Sequence, residues 1–464
     1  MQIHFHGAAQ TVTGSKHLLE INGNLLLLDC GLFQGKRADT YTANQTFNFD
    51  PSDVDAVILS HAHIDHSGNL PNLVKNGFRG KIYATRGTAR LSEIMLRDAG
   101  HIQEQDAVYV NKKRRRKGQP PVEPLYTVED VERVLPLFET VDYDRPFEPF
   151  EGVTARFVEA GHILGSAAVV LDVRENGKQK RVWFSGDIGR YKLPLLRDPV
   201  LPQNTDYLLM ESTYGDKLHR DPEAAYAEFV EVVARTIKRG GKVIIPAFAV
   251  GRTQELVYNL NRAIADQLLP HIPVYVDSPL AVGASDIFRE FPEYFDQETW
   301  EFIDNGRHKA LYFKELVYTR SVDESKAIND IHKPMVIISA SGMAETGRIL
   351  HHLRHNIEDP RSTILIVSWQ APDTLGRRLA EQAREVRIFG EEYYRRAEVA
   401  TIGGLSAHAG QDLLLDYAAA SRDTLKHIYL VHGEERGALP LMAKIREQHI
   451  APVSFPGPKS VVEI

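Results

Sequence analysis

Short apolar runs broken by Gly, Asn and Asp fill the first third of the chain. "INGNLLLLDCG" reads as a hairpin turn at Asn22-Gly23 followed by a buried strand. "DAVILS" is a second strand, and "NLPNLVKNG" is a short helix ending at Gly77. "KIYAT" is a strand, and "GTARLSEIMLRDAGHIQEQDAVYV" has the spacing of a long amphipathic helix. "VTARFVEAGHILGSAAVVLDV" and "KRVWFSGDIG" read as adjacent strands of one sheet. From about Glu211 the pattern changes to helices alternating with strands. Helix "PEAAYAEFVEVVARTIKRG", strand "KVIIPAF", helix "RTQELVYNLNRAIA" and strand "PVYVDS" are followed by "PMVIISAS", a helix from about Gly347, and "STILIVSW". That alternation predicts a second, doubly wound α/β unit. After about Ala400 short segments resume in "ATIGGLSAHAG" and "HIYLVHGEE", then a last helix.

A length of 464 residues predicts two domains. Hydrophobic content of 43% with 25% charged residues fits a soluble globular protein. No apolar run approaches the ~18 residues of a membrane span. The start, "MQIHFHGAAQTVTG", has no basic leader or apolar signal core, so a cytoplasmic protein is expected. Cys30 is the only cysteine, which excludes a disulfide framework and a cysteine zinc site. Any zinc must then be held by His and Asp, as in catalytic sites. The net charge of −7 argues against a nucleic-acid coat protein but leaves room for an enzyme with a local basic groove.

"LSHAHIDHSG", straight after the strand "DAVILS", packs His61, His63, Asp65 and His66 into six positions. His61 and His63 are two apart at a strand end, so both point to one side. Asp65 and His66 can turn inward at the start of a helix. One zinc takes three or four ligands, so two metal ions are the economical reading of four donors that need further partners. "EAGHILGSA" offers His162 and "FSGDIG" offers Asp187, each after a strand; a carboxylate can bridge two ions. Alone, His162 would be an ordinary turn histidine. Gly186 and Gly189 let the backbone approach closely around Asp187. Asp29, at the end of "LLLLD", either orients a ligand histidine or a metal-bound water, or caps a turn.

"LLLDCG", "HAHIDHSG", "AGHILGS" and "SGDIG" resemble, in order and context, the successive motifs of the metallo-β-lactamase fold. "TVTGSKHLLEINGNLLLLDCGLFQG", "MESTYGD", "LSAHAG" and "LVHGEE" resemble the β-CASP branch of RNA and DNA nucleases. The resemblance spans the chain. It implies an αββα metallo-β-lactamase sandwich at 1–206 and 400–464, with an α/β β-CASP domain inserted at 207–399. It also implies two zinc ions per chain: His61, His63 and His162 hold one, Asp65, His66 and His432 the other, and Asp187 bridges. Such zinc lowers the pKa of water toward ~7, and two ions ~3.5–4 Å apart grip nucleophile and phosphate oxygen. By the same resemblance His408 is a general acid and Glu211 its orienting partner. RNA-directed members carry a histidine at the position of His432, so single-stranded RNA is the expected substrate; a homodimer is the family expectation.

Ser341 and Gly342, in a strand–turn–helix segment, are candidates for a phosphate contact at a helix start. Arg252, at another strand-to-helix turn, is a further one. His351, His352 and His355 read as a helix surface rather than a third metal site. The six-residue basic run from Lys112 to Lys117, followed by Gly and two prolines, reads as an exposed, mobile loop with nonspecific attraction for phosphate. Competing readings are a DNA nuclease of the same fold, a small-molecule thioester or lactone hydrolase, and a non-catalytic RNA-processing subunit. His432 counts against the first, His408 and Glu211 against the second, and the complete donor set against the third.

Overall fold

The computed structural model describes residues 1–35, 37–304 and 309–464. The chain divides into two compact units, one of Met1–Tyr191, Asp198–Leu218 and His408–Ile464, the other of Lys192–Arg197 and His219–Ala407.

The first unit begins with strands β1 (Gln2–Gly7), β2 (Lys16–Ile21), β3 (Asn24–Leu28), β4 (Ala56–Ile58), β5 (Lys81–Ala84) and β6 (Phe138–Thr140). It continues with β7 (Pro146–Phe150), β8 (Val153–Glu159), β9 (Ala167–Glu175), β10 (Lys178–Phe184) and β11 (Tyr207–Glu211). The second unit contributes β12 (Lys242–Pro246), β13 (Val274–Val276), β14 (Leu316–Tyr318), β15 (Met335–Ser339), β16 (Thr363–Ile366), β17 (Glu385–Ile388), β18 (Glu391–Tyr394) and β19 (Glu398–Thr401). The chain then returns to the first unit with β20 (His427–Val431), β21 (Val453–Ser454) and β22 (Val461–Glu463).

Two seven-stranded sheets build the first unit, in orders β22-β1-β2-β3-β4-β5-β6 and β21-β20-β11-β10-β9-β8-β7. Strand alternation decides which side chains meet between them. Leu26, Leu28 and Ile58 of one sheet share a buried cluster with Phe157, Val169, Leu171, Val182, Phe184 and Leu209 of the other. The opposite faces carry helices. Leu27, Val57 and Ile82 pack with Leu70, Leu73, Leu96 and Val131, while Val170, Trp183, Leu208 and Leu430 pack with Leu414, Tyr417, Leu441 and Ile445. The result is an αββα sandwich. The β2–β3 hairpin turns at Asn22 (φ 53°) and Gly23 (φ 83°), the pair of left-handed residues that a tight hairpin needs. β11 pairs in parallel with both β10 and β20, so the segment just after 206 completes this sheet before the chain leaves it.

The second unit has a parallel six-stranded sheet in the order β14-β13-β15-β12-β16-β19, plus the β17–β18 hairpin. Helix Pro222–Lys238, capped by the Asp221 side chain, and helix Arg252–Ala265 flank β12, as the alternating pattern predicts.

Several expectations are corrected here. Helix Arg86–Arg115 includes Lys112 to Arg115, so the basic run is the end of a long helix and not a loop. Asn111 clasps the returning chain, donating to Val122 O at 2.9 Å and accepting from Val122 N at 2.8 Å. His352 is fully buried, bonded through Nε2 to Asp277 Oδ2 at 2.7 Å, while His351 and His355 are exposed on the same helix. Asp277 also accepts from Ser325 Oγ, Thr319 Oγ1 and Arg348 Nη1, so its buried charge is compensated locally. The Arg252 guanidinium is buried against Glu255, one turn on in its own helix, and does not reach out to a phosphate. Helix Ile349–Asn356 starts well after Ser341 and Gly342. The Ser341 hydroxyl itself accepts from Glu345 N at 3.2 Å and Thr346 N at 3.4 Å, so the helix-start argument for these two residues does not hold. Among the described residues no helix is long and apolar enough to cross a membrane.

Candidate metal centre

Loops at the ends of β3, β4, β8, β10, β11 and β20 converge on one side of the sandwich. After β4, His63 occupies the cap position before helix Ile64–Ser67, which turns Asp65 and His66 back toward the strand ends. This turn is packed tightly: a Cβ on Gly31 would sit 1.6 Å from Asp65 O. A Cβ on Gly189 would sit 1.9 Å from Gly161 O, so only glycine lets the Asp187 and His162 loops lie side by side.

The first donor group is His61, His63, His162 and Asp187. His61 Nε2 and His162 Nε2 lie 3.1 and 3.2 Å from His63 Nδ1. Asp187 Oδ2 lies 3.4 Å from His61 Nε2 and 3.5 Å from His162 Nε2. The second group is Asp65, His66 and His432, with His432 Nε2 3.5 Å from Asp65 Oδ2. Asp187 faces this group with its other oxygen: Oδ1 is 3.2 Å from His66 Nε2 and 3.5 Å from His432 Nδ1.

Outer hydrogen bonds set the histidine tautomers. Asp29 Oδ2 accepts from His66 Nδ1 at 2.7 Å, which turns His66 Nε2 toward Asp187. The Ser60 hydroxyl donates to Asp29 Oδ2 at 3.0 Å, so His61 Nδ1 donates to Ser60 Oγ at 3.0 Å and keeps its Nε2 lone pair inward. The Thr213 hydroxyl donates to His432 O, and His432 Nδ1 donates to Thr213 Oγ1 at 3.1 Å, freeing Nε2. Asp29 also accepts from Ser60 N and Ser15 Oγ, and its backbone is left-handed at φ 59°. These contacts hold the Asp29 carboxylate against the His66 ring. Ser15, Ser60 and Thr213 do not stand out in the sequence. The available signal for two of them is position: Ser60 directly precedes the histidine motif, and Thr213 follows Glu211 in "MESTYGD".

Burial lowers the pKa of His61, His63 and His162, that of His63 to about 3, so these rings are neutral and able to donate lone pairs at neutral pH. Burial raises the Asp187 carboxyl, but the surrounding histidines, His432 and His66 foremost, outweigh it and hold the group well below its ordinary value. Among the described residues, His66 Nε2, Asp187 Oδ1 and His432 Nε2 are buried without a hydrogen-bond partner. Buried polar atoms are rarely left so. Lone pairs crowded within 3.1–3.5 Å around a carboxylate fit metal cations, and a His/Asp donor set without cysteine suits a catalytic ion.

Beside these groups His408 Nδ1 lies 3.1 Å from Glu211 Oε2 and 3.9 Å from Asp187 Oδ2. Glu211 is fully buried, and its Oε1 accepts from Ile188 N. Burial works against a charged His408, but Glu211 and then Asp187 outweigh it and raise the pKa to about 9. The sequence-predicted residues Asp29, His61, His63, Asp65, His66, His162, Asp187, Glu211, His408 and His432 therefore all meet in the first unit. Ser341, Gly342 and Arg252 belong to the second.

Comparison with known proteins places this geometry in a family. Residues 16–246 match the metallo-beta-lactamase superfamily, 253–379 the Beta-Casp domain, and 392–456 the Zn-dependent metallo-hydrolase RNA specificity domain. The chain is 39% identical to Ribonuclease TTHA0252 of Thermus thermophilus, over 98% of this chain and 99% of that protein. It is 31% identical to an RNase J-like protein of Methanocaldococcus jannaschii, over 94% and 93% of the two chains. It is 32% identical to the transcription termination factor FttA of Pyrococcus abyssi, over 95% of this chain and 68% of that one. A crystal structure of a protein of unknown function from Enterococcus faecalis shares the fold, with a TM-score of 0.55 at 13% identity over 100% and 99% of the chains. The chain thus belongs to the β-CASP branch of the metallo-β-lactamase superfamily and is a metal-dependent hydrolase.

Proposed function

We propose that the chain is a zinc-dependent ribonuclease that hydrolyses phosphodiester bonds of single-stranded RNA with two zinc ions per chain. His61, His63 and His162 would hold one ion, Asp65, His66 and His432 the other, and Asp187 both. The observation that carries this reading is the placement of Asp187, whose two oxygens face two different donor groups. Bound there, a metal would supply a hydroxide nucleophile near neutral pH and would neutralise charge on the phosphate. The protein's own groups do the rest. Asp29, Ser60 and Thr213 hold the ligand histidines in the tautomers described. His408, partnered by Glu211 and therefore protonated at neutral pH, delivers a proton to the leaving ribose oxygen.

RNA is favoured by the match over 392–456 and by relatives named ribonuclease and RNase J-like protein. The test is to offer the protein a 5′-labelled single-stranded RNA and the same sequence as DNA, each with and without chelator. Chelator-sensitive cutting of RNA with DNA spared is expected. Equal cutting of DNA, or intact RNA with metal-loaded protein, would overturn the substrate assignment.

A further inference from the structure

Helix Arg86–Arg115 starts beside the metal centre and ends far from it. Thr85 Oγ1 and Thr88 Oγ1, at its beginning, both donate to Gly165 O in the loop that carries His162. At 1.5 Å per residue its 30 residues span ~45 Å. Its two halves differ. The first half buries Leu91, Met95, Leu96 and Gly100, and its arginines are paired, Arg90 with Glu93 and Arg97 with Glu93 and Glu132. From His101 to Arg115 no residue is buried, and Ile102, Val108 and Tyr109 are each more than half exposed.

The distal end carries Lys112, Lys113, Arg114, Arg115, Arg116 and Lys117, and no acidic residue occurs between Ala107 and Val122, in a chain whose net charge is −7. Among the described residues none of these cations pairs with a carboxylate. Lys113 Nζ instead lies 4.4 Å from the Tyr109 ring centroid, and Arg114 Nε donates to Pro120 O. At 100° per residue Lys112 to Arg115 spread around the last turn of the helix, and Arg116 and Lys117 follow in the turn beyond it. Cations favour a helix C-terminus, but that effect fades within the last turn, and like charges at i,i+3 and i,i+4 repel. Six of them exceed what the helix end can use. The Asn111–Val122 clasp fixes the tip, so the cations are presented on ordered backbone.

We infer that this tip is a second nucleic-acid contact, which binds the phosphate backbone of the RNA remote from the cleavage site. The inference rests on the ribonuclease reading above. A polyanion relieves the mutual repulsion of the cations. A strand reaching from the metal centre to the tip needs roughly 13 nucleotides if they stay stacked at ~3.4 Å each, and about half as many if the backbone is extended. Long RNAs therefore feel the tip and short ones do not.

The test compares the full-length wild type with a variant carrying Lys112→Gln, Lys113→Gln, Arg115→Gln and Arg116→Gln, all exposed positions where glutamine keeps helix propensity. Binding of 2′-O-methyl RNAs of about 30 and about 4 nucleotides is measured across ~50 to 200 mM salt. For the long RNA, affinity at low salt should fall at least about tenfold, and the salt slope should shrink by ~0.7 for each phosphate that is no longer neutralised, ~3 for four. The short RNA, and turnover of bis-p-nitrophenyl phosphate, should be unchanged. Unchanged affinity and slope on long RNA, or equal losses on both lengths, would overturn the inference. So would a changed oligomeric state with RNA binding intact, which would make the tip a contact between copies. If wild type turns over the small diester and binds no RNA, the ribonuclease reading itself fails.

Discussion

His408→Ala lowers kcat on RNA by roughly 10²–10⁴-fold and leaves bound metal unchanged, the size of effect expected for removing a positioned proton donor. His408 Nδ1 is committed to the Glu211 carboxylate at 3.1 Å, and Glu211 is itself held by Ile188 N. That is the arrangement of an imidazole oriented, and kept charged, by a buried acid. Asp187, Glu211 and His408 also form a donor cluster that could be mistaken for a third metal site. The two roles give different results. A ligand would take metal with it when removed, whereas a proton donor takes only rate. Metal content is therefore measured on the same samples as kcat and KM. Lost metal would reassign His408 as a ligand, and undiminished cleavage would remove it from the chemistry.

Asp187→Ala abolishes cleavage and strips metal from the protein. The loss of affinity should exceed the roughly 10–100-fold that follows removal of an outer hydrogen-bond partner. Asp187 is the one carboxylate placed against both donor groups, within 3.2–3.5 Å of His61, His66, His162 and His432. Without it the histidines keep their tautomers through Asp29, Ser60 and Thr213, but the negative charge at their centre is gone. Metal analysis after exhaustive dialysis, alongside a thermal melt to show a folded chain, checks this. A variant that keeps its full metal content would mean that the two groups hold their ions independently of Asp187.

The sequence is most readable where spacing and elements coincide. The strand "DAVILS" and the donors after it mark a metal-competent turn, because period two puts His61 and His63 on one side. The hairpin at Asn22-Gly23 and the helix–strand alternation after Glu211 are legible from local chemistry in the same way. Glu211, His408 and His432 are not. They lie far apart in sequence on short segments, and only the resemblance to a known family brings them together; the β11–β20 pairing and the Gly189–His408 bridge do so physically. Arg252 and His352 go the other way. In sequence Arg252 looks available for a phosphate and His352 reads as helix surface, but Glu255 and Asp277 take up their polar groups inside the second unit. Charge alone suggests a loop at 112–117, where the periodicity of the preceding helix in fact continues to Arg115. Ser15, Ser60 and Thr213 illustrate a general limit: hydroxyl groups that orient a ligand have no spacing of their own.

The central claim is that the cluster around Asp187 binds the metal on which hydrolysis depends. The most direct test is a metal titration. Chelator-stripped protein is given zinc stepwise, with bound metal and RNA cleavage measured on each sample. Cleavage should be absent without metal and should rise to a plateau at about two ions per chain. Full activity in the stripped protein, or a plateau reached with no metal retained, would contradict the account.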